Sequence, residues 1–231
     1  MQYIIGDVHG NVNELKKLIN HLNPKKEDLL IFLGDLIDKN PDTLETLEYI
    51  TNLKDNLNCK FVKGNHDFVW EEYLVKKNLN RKEFLLEYGG KQALSKIDQA
   101  EELLKTDKIT ELKKILSKYL DIIKEMEPYL LVSDYLVIHA GLLPSQLDEE
   151  DFKVKEINYF LRPEKIDKSK KYLGKYRVIA GHTFIKSTPF FSEAYINIDT
   201  GAGYGKYLSV YCIENMQIMR SDGKMFKDKN E

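Results

Sequence analysis

The sequence predicts an α/β protein in which an αβ half packs against a mostly β half. Two observations carry that reading. Three apolar segments of strand length each run into a glycine beside a polar side chain and give way to a helix pattern, and later short apolar segments alternate with turn signals. The first unit is "YII" running into "GDVHGN" (6–11). There Asn11 can cap a helix with Glu14 reaching back, and Val12, Leu15, Leu18, Ile19 and Leu22 recur at helical spacing. The second unit, "DLLIFLGDLIDKN", ends its strand at Gly34-Asp35, and after Pro41-Asp42 the residues Leu44, Leu47, Ile50 and Leu53 mark one helix face. The third, "CKFVKGNHD", ends in Gly64-Asn65-His66-Asp67 and leads into another helical stretch. From Phe68 to Pro128 the pattern stays helical, and "TELKKILSKYLDIIKEME" spaces Leu112, Ile115, Leu116, Tyr119, Ile122, Ile123 and Met126 between charges. Its lysines and glutamates read as a solvated face, so 68–128 is expected to form a helical lid or flank. Strands follow in "YLVIHAG", "YRVIAGHT", "AYINIDTG", "YLSVYCIEN" and, weakly, "QIMRSDG", and the tail "KMFKDKNE" reads as frayed.

With 231 residues and 42% hydrophobic content, the chain can bury a substantial core, and one domain spanning 1–231 is expected. Lys and Arg (35) nearly balance Asp and Glu (37), so no global positive field points to nucleic acid or an anionic membrane. Cys59 and Cys212 lie far apart without a C-x-x-C spacing, and buried free thiols are expected rather than a disulfide or a cysteine zinc site. The N-terminal apolar run is interrupted by Asp7 and His9, and no stretch reaches the roughly 18 apolar residues of a membrane span. A cytoplasmic protein is the expectation.

Five histidines occur, and four of them, His9, His66, His139 and His182, stand at a predicted strand end beside a glycine. One such histidine is ordinarily a packed structural residue. Four in the same setting, with Asp7, Asp35 and Asn65, point instead to a pair of divalent cations. His21, on a helix and without a glycine, serves as the contrast and is expected at the surface. Carboxylate, imidazole and amide oxygen suit manganese, iron or zinc, and the lack of thiolates argues against a purely structural zinc. In such a pair one carboxylate must bridge ions held about 3.5 to 4 Å apart.

"GDVHG", "GDLIDKN", "GNHD", "HAG" and "GHT", in this order, resemble the calcineurin-like metallophosphoesterases, specifically the phosphoprotein phosphatase branch with its bacterial serine/threonine phosphatases and diadenosine tetraphosphate hydrolases. "INIDTGAGYG" extends the likeness to Gly205. The resemblance implies a sandwich of two mixed β-sheets flanked by helices, with the site at the strand ends. It makes Asp7 and His9 ligands of a first metal, Asp35 the bridge, and Asn65, His139 and His182 ligands of a second, with manganese foremost and iron or zinc as alternatives. It also makes His66 the general acid that protonates the leaving oxygen, oriented by Asp38, whose other reading is a helix cap near Pro41. Lys39-Asn40 departs from the family's usual Arg-Gly, replacing a two-pronged phosphate grip by one compact charge. Arg162 lies where related enzymes place a second phosphate-binding arginine, and an ordinary surface arginine before Pro163 is its other reading. Tyr204 is a weaker candidate.

The activity implied is hydrolysis of phosphate esters or anhydrides by in-line attack of a metal-bridging hydroxide, with no phosphoenzyme. A serine/threonine protein phosphatase, which needs an open, shallow site for a phosphoprotein, is the first expectation. A dinucleoside polyphosphate hydrolase, with a pocket for a base and several phosphates involving the helical region, is the alternative. A catalytically dead scaffold would be missing a ligand, and none is missing; a nuclease would carry a basic stripe, and none is present.

Overall fold

The computed structural model of the protein describes residues 1–228. Two mixed sheets face each other, with helices against the outer face of the first. In the first sheet, parallel strands β1 (Gln2–Ile5), β2 (Leu29–Phe32) and β3 (Asn58–Phe61) are extended beyond β1 by three antiparallel strands. These are β9 (Ser209–Cys212), β10 (Gln217–Arg220) and β11 (Met225–Lys227), giving the order β11-β10-β9-β1-β2-β3. The second sheet runs β4-β5-β6-β8-β7, from β4 (Leu130–Val132), β5 (Tyr135–Val137), β6 (Arg177–Ala180), β7 (Phe190–Phe191) and β8 (Tyr195–Asn197).

Strand periodicity sorts the core. Tyr3, Ile5, Leu30 and Phe32 face outward onto α1 (Val12–Leu22), α2 (Thr43–Asn56) and α3 (Asn65–Leu74), whereas Ile4, Ile31 and Leu33 point between the sheets. There they meet Val137, Ile179, Ile196 and Ile198 of the second sheet, and the Tyr135 and Tyr211 hydroxyls join across the interior at 3.0 Å. Such alternation is how each strand of a sandwich serves two layers at once.

Four expectations need correction. The late strands do not form one β half: β9 to β11 complete the first sheet instead, because β9 pairs antiparallel with β1. Met225–Lys227 of the supposedly frayed tail form β11, and Asp228 behind them binds the buried Arg177; positions 229–231 of that tail lie outside the described residues. Asn11 accepts the Glu14 N–H as a cap, but the Glu14 side chain turns away to Lys17 and the Ser221 hydroxyl. The helical region is also more broken than its periodicity implies. Between α3 and β4 it holds α4 (Lys82–Glu87), α5 (Gly90–Leu94), α6 (Ala100–Lys105), α7 (Ile109–Ile115) and α8 (Ser117–Glu125), with Leu116 out of helical geometry so that α7 and α8 each turn a face inward. His21 is exposed, as expected. Among the described residues no helix is long and apolar enough to cross a membrane.

Candidate active site

The carboxyl ends of the parallel strands of both sheets meet on one side, and their loops carry the polar residues. Asp7 and His9 follow β1, Asp35 follows β2, Asn65 and His66 open α3 after β3, and His139 and His182 follow β5 and β6. Loops at carboxyl strand ends are free to aim side chains because the strands behind them are fixed. The aiming has a backbone cost: His9, Asp35, Asp38, Lys39 and His182 all have φ between 48° and 77°, a left-handed region that non-glycine residues avoid. Two glycines make room. A Cβ on Gly181 would lie 2.0 Å from Asp7 Oδ1, and one on Gly64 would lie 2.1 Å from Asp35 Oδ1.

Asp35 is the hub. Its Oδ2 lies 3.4 Å from His9 Nε2 on one side and 3.4 Å from His139 Nε2 on the other. Asn65 Oδ1 sits 3.0 Å from His139 Nε2 and 2.8 Å from His182 Nδ1. His9 and His139 direct Nδ1 at the Ile37 and Leu33 carbonyls, which fixes the ring tautomer and presents Nε2 to the site. Two buried atoms of this cluster, Asp7 Oδ1 and His182 Nε2, have no partner among the described residues. Buried polar groups in a folded protein are nearly always satisfied, so unsatisfied and crowded lone pairs around a shared carboxylate fit a pair of cations.

The charges set the groups apart: burial alone would lower His139, but the Asp35 carboxylate outweighs it and raises the imidazole to about 10. Burial, together with Asp199, pushes Asp7 well above the usual carboxylate range. Burial alone would also raise Asp35, but the imidazoles of His139, His66 and His9 outweigh it and hold the carboxyl well below its ordinary value. Burial and the Lys39 ammonium lower His9, and burial with His139 lowers His182 to about 3, so both imidazoles are neutral and able to donate a lone pair.

His66 sits beside this set, its ring centre 4.9 Å from that of His9, but it is held in a different way. Its Nδ1–H donates to Asp38 Oδ2 at 2.7 Å, while the Trp70 indole N–H donates to the other Asp38 oxygen at 2.8 Å. Asp38 is therefore no helix cap. It is a fully buried carboxylate clamped between a ring N–H and an indole, and it orients the His66 ring. Asp67, from the same "GNHD" segment, accepts the backbone N–H groups of Asp35 and Gly64 and the Tyr119 hydroxyl, tying the Asp35 turn to α3 and α8.

All eleven residues singled out from the sequence, Tyr204 included, converge here or on the cleft above. That cleft, of about 680 Å³, reaches Asp35, Asn65, His66 and His182 at its floor and is also lined by Lys39 and Arg162. Lys39 Nζ lies 2.7 Å from His9 Nε2 and 4.8 Å from the Tyr204 ring centre; an ion on His9 requires the ammonium to swing outward. Asn40, where the family has glycine, donates to the His9 carbonyl and to that of Ala202, bracing the loop. Among the cleft residues that escaped the sequence reading are Arg81, Phe84, Tyr88, Glu156 and Phe160. Arg81, Phe84 and Tyr88 stand in the stretch of helical periodicity and Phe160 in the segment before Arg162, and in neither does local pattern separate a lining aromatic from a core one. Asp199 escaped as well, although "NIDTG" repeats the pattern of acid and glycine at a strand end; it is buried and raised to about 6.

Fold and site together define a metallophosphoesterase. The family model for calcineurin-like phosphoesterases matches residues 3–186, and the chain belongs to that family, which implies divalent metal ions. It is 24% identical over 238 residues to an asymmetrical bis(5'-nucleosyl)-tetraphosphatase of Anoxybacillus flavithermus, covering 93% of this chain and 91% of that protein. To the enzyme of the same name from a Geobacillus species it is 27% identical over 230 residues, covering 90% and 88%. A serine/threonine phosphatase of Saccharomyces cerevisiae shares the fold with a TM-score of 0.55 at 17% identity, over 90% of this chain and 71% of that one.

Proposed function

We propose that the protein hydrolyses dinucleoside polyphosphates. The observation that carries this reading is the cleft itself. It is walled by Phe84, Tyr88, Phe160 and Tyr204 and bears the cations Lys39, Arg81 and Arg162, so aromatic faces for a base stand beside positive charge for several phosphates. The helical region supplies much of that wall, which suits a small anionic substrate better than the exposed segment of a phosphoprotein. The two tetraphosphatase relatives, similar over nearly their whole length, support the same choice, whereas the phosphatase likeness is one of fold. The serine/threonine protein phosphatase reading therefore gives way to its alternative.

In this reading Asp7, His9 and Asp35 hold one divalent ion and Asp35, Asn65, His139 and His182 the other, with manganese favoured by the oxygen and imidazole donors. When bound, such ions lower the pKa of a water and offset phosphoryl charge. The chain's own residues do the rest. Arg162 and Lys39 hold the scissile phosphate's oxygens, and Lys39 reaches them once its stem turns from His9. Asp38 accepts the Nδ1 proton of His66, which leaves the Nε2 proton for the departing oxygen, and Trp70 keeps Asp38 from rotating. The cytoplasm is the proposed compartment, consistent with two free thiols.

Chromatography of diadenosine tetraphosphate incubated with the manganese-loaded protein tests the proposal. Mononucleotide products that vanish with a chelator are expected. An intact dinucleotide would overturn it.

A further inference from the structure

We infer that Arg81 is a specificity residue that holds a phosphate beyond the one cleaved, with Glu156 as the placeholder it exchanges for that phosphate. The inference rests on the proposed function for the identity of the substrate.

Arg81 enters the cleft from the helical insert, at the end of the short turn Leu79–Arg81, and Glu156 enters from the opposite side, at the start of α9 (Glu156–Tyr159). Arg81 Nη2 lies 2.8 Å from Glu156 Oε1, and the guanidinium rests on the Phe68 ring with 5.4 Å between its carbon and the ring centre. This fork is only part used: Arg81 Nε is buried and has no hydrogen-bond partner. The partner is also easily replaced. The Glu156 side chain is 53% exposed, and ion pairs of that kind contribute little. A phosphate brings more charge and two oxygens, a better match for a guanidinium than one oxygen of a mobile carboxylate.

Residue usage points the same way. Of the 35 basic residues only four are arginine. Arg177 and Arg220 are buried in structural contacts, with Asp228 and Ser192 and with Ser187 and Asp222. The other two, Arg81 and Arg162, both line the cleft. In a chain that otherwise uses lysine, the planar fork appears where a fixed geometry is needed. Arg162, on the segment between β5 and β6, is the arginine assigned above to the scissile phosphate. Arg81 comes from the insert, a separate segment lining the same cleft, and suits a later phosphate of the same chain.

The test compares inhibition by tripolyphosphate and by orthophosphate of p-nitrophenyl phosphate hydrolysis, at constant free manganese. The ratio of the two inhibition constants is internal to each variant, so a partly folded preparation does not distort it. Wild type is expected to prefer tripolyphosphate. Arg81→Met should reduce that preference about tenfold, Arg81→Lys should restore part of it, and Glu156→Gln, which frees the fork, should increase it. An unchanged preference in Arg81→Met overturns the inference, as does a Glu156→Gln variant that loses preference like Arg81→Met, since that marks a structural tie. Turnover of diadenosine tetraphosphate by wild type is read separately. If it is absent while the Arg81 variants shift the ratio as expected, the proposed substrate falls and the polyphosphate subsite stands.

Discussion

At the scale of single residues, the site separates one imidazole from the rest. His66 alone gives Nδ1 to a carboxylate that is itself held by an indole, the geometry that suits the proton-donor role proposed for it. His66→Asn should fold and retain metal yet lose about 10²-fold or more in turnover of an alkyl phosphate; a near wild-type rate would remove His66 from the mechanism. Trp70→Phe is a finer probe. It keeps an aromatic ring but removes one donor from a buried carboxylate and part of the indole volume, so kcat should fall with KM little changed, and stability should drop by at least about 1 to 3 kcal/mol in urea unfolding. Asp35, equidistant from His9 and His139, is the residue whose loss reaches both halves of the site. Elemental analysis of Asp35→Asn should therefore show both ions gone, whereas His182→Ala should lose only one of about two; an Asp35→Asn protein with a full complement would refute the bridge.

At the scale of elements, the helical insert shows where sequence pattern stops. Its periodicity announces helices, and helices form, but Leu116 breaks the expected run because Leu112 and Tyr119 must reach the same core from differently oriented segments. Tertiary packing decides such breaks, and local propensity does not record them. The insert is tied down by Asp107, which accepts from Lys82 at 2.5 Å and from the Tyr73 hydroxyl at 2.9 Å. The hydrogen bond from Lys82 holds the Asp107 carboxyl below its ordinary value. A group depressed in the folded state contributes stability above its unfolded pKa and loses it as pH falls through the folded one. Hydrogen exchange in α4 to α7, corrected for intrinsic rates, should thus accelerate below about pH 4, and Asp107→Asn should show the faster exchange already at neutral pH.

At the scale of the whole molecule, the floor of the site was legible and its walls were not. Asp7, His9, Asp35, Asn65, His139 and His182 each announce themselves because a side chain that must leave a strand end at a tight turn needs a glycine beside it, and that pairing is written locally. Arg81, Phe84 and Tyr88 of the insert and Phe160 after α9 carry no such mark, since they become neighbours of the site only when distant segments fold over it. The same holds for β9 to β11, whose pairing with β1 joins residues about two hundred positions apart, as between Tyr3 and Cys212. What the walls decide is the substrate, and it is there that the first expectation shifted from a phosphoprotein to a dinucleotide. The most direct test of that claim sets initial rates on diadenosine tetraphosphate against those on a phosphothreonine peptide, with manganese and a chelator control. A kcat/KM at least about 10²-fold higher for the dinucleotide, abolished by the chelator, is the predicted result. Efficient turnover of the peptide with the dinucleotide left intact would contradict it.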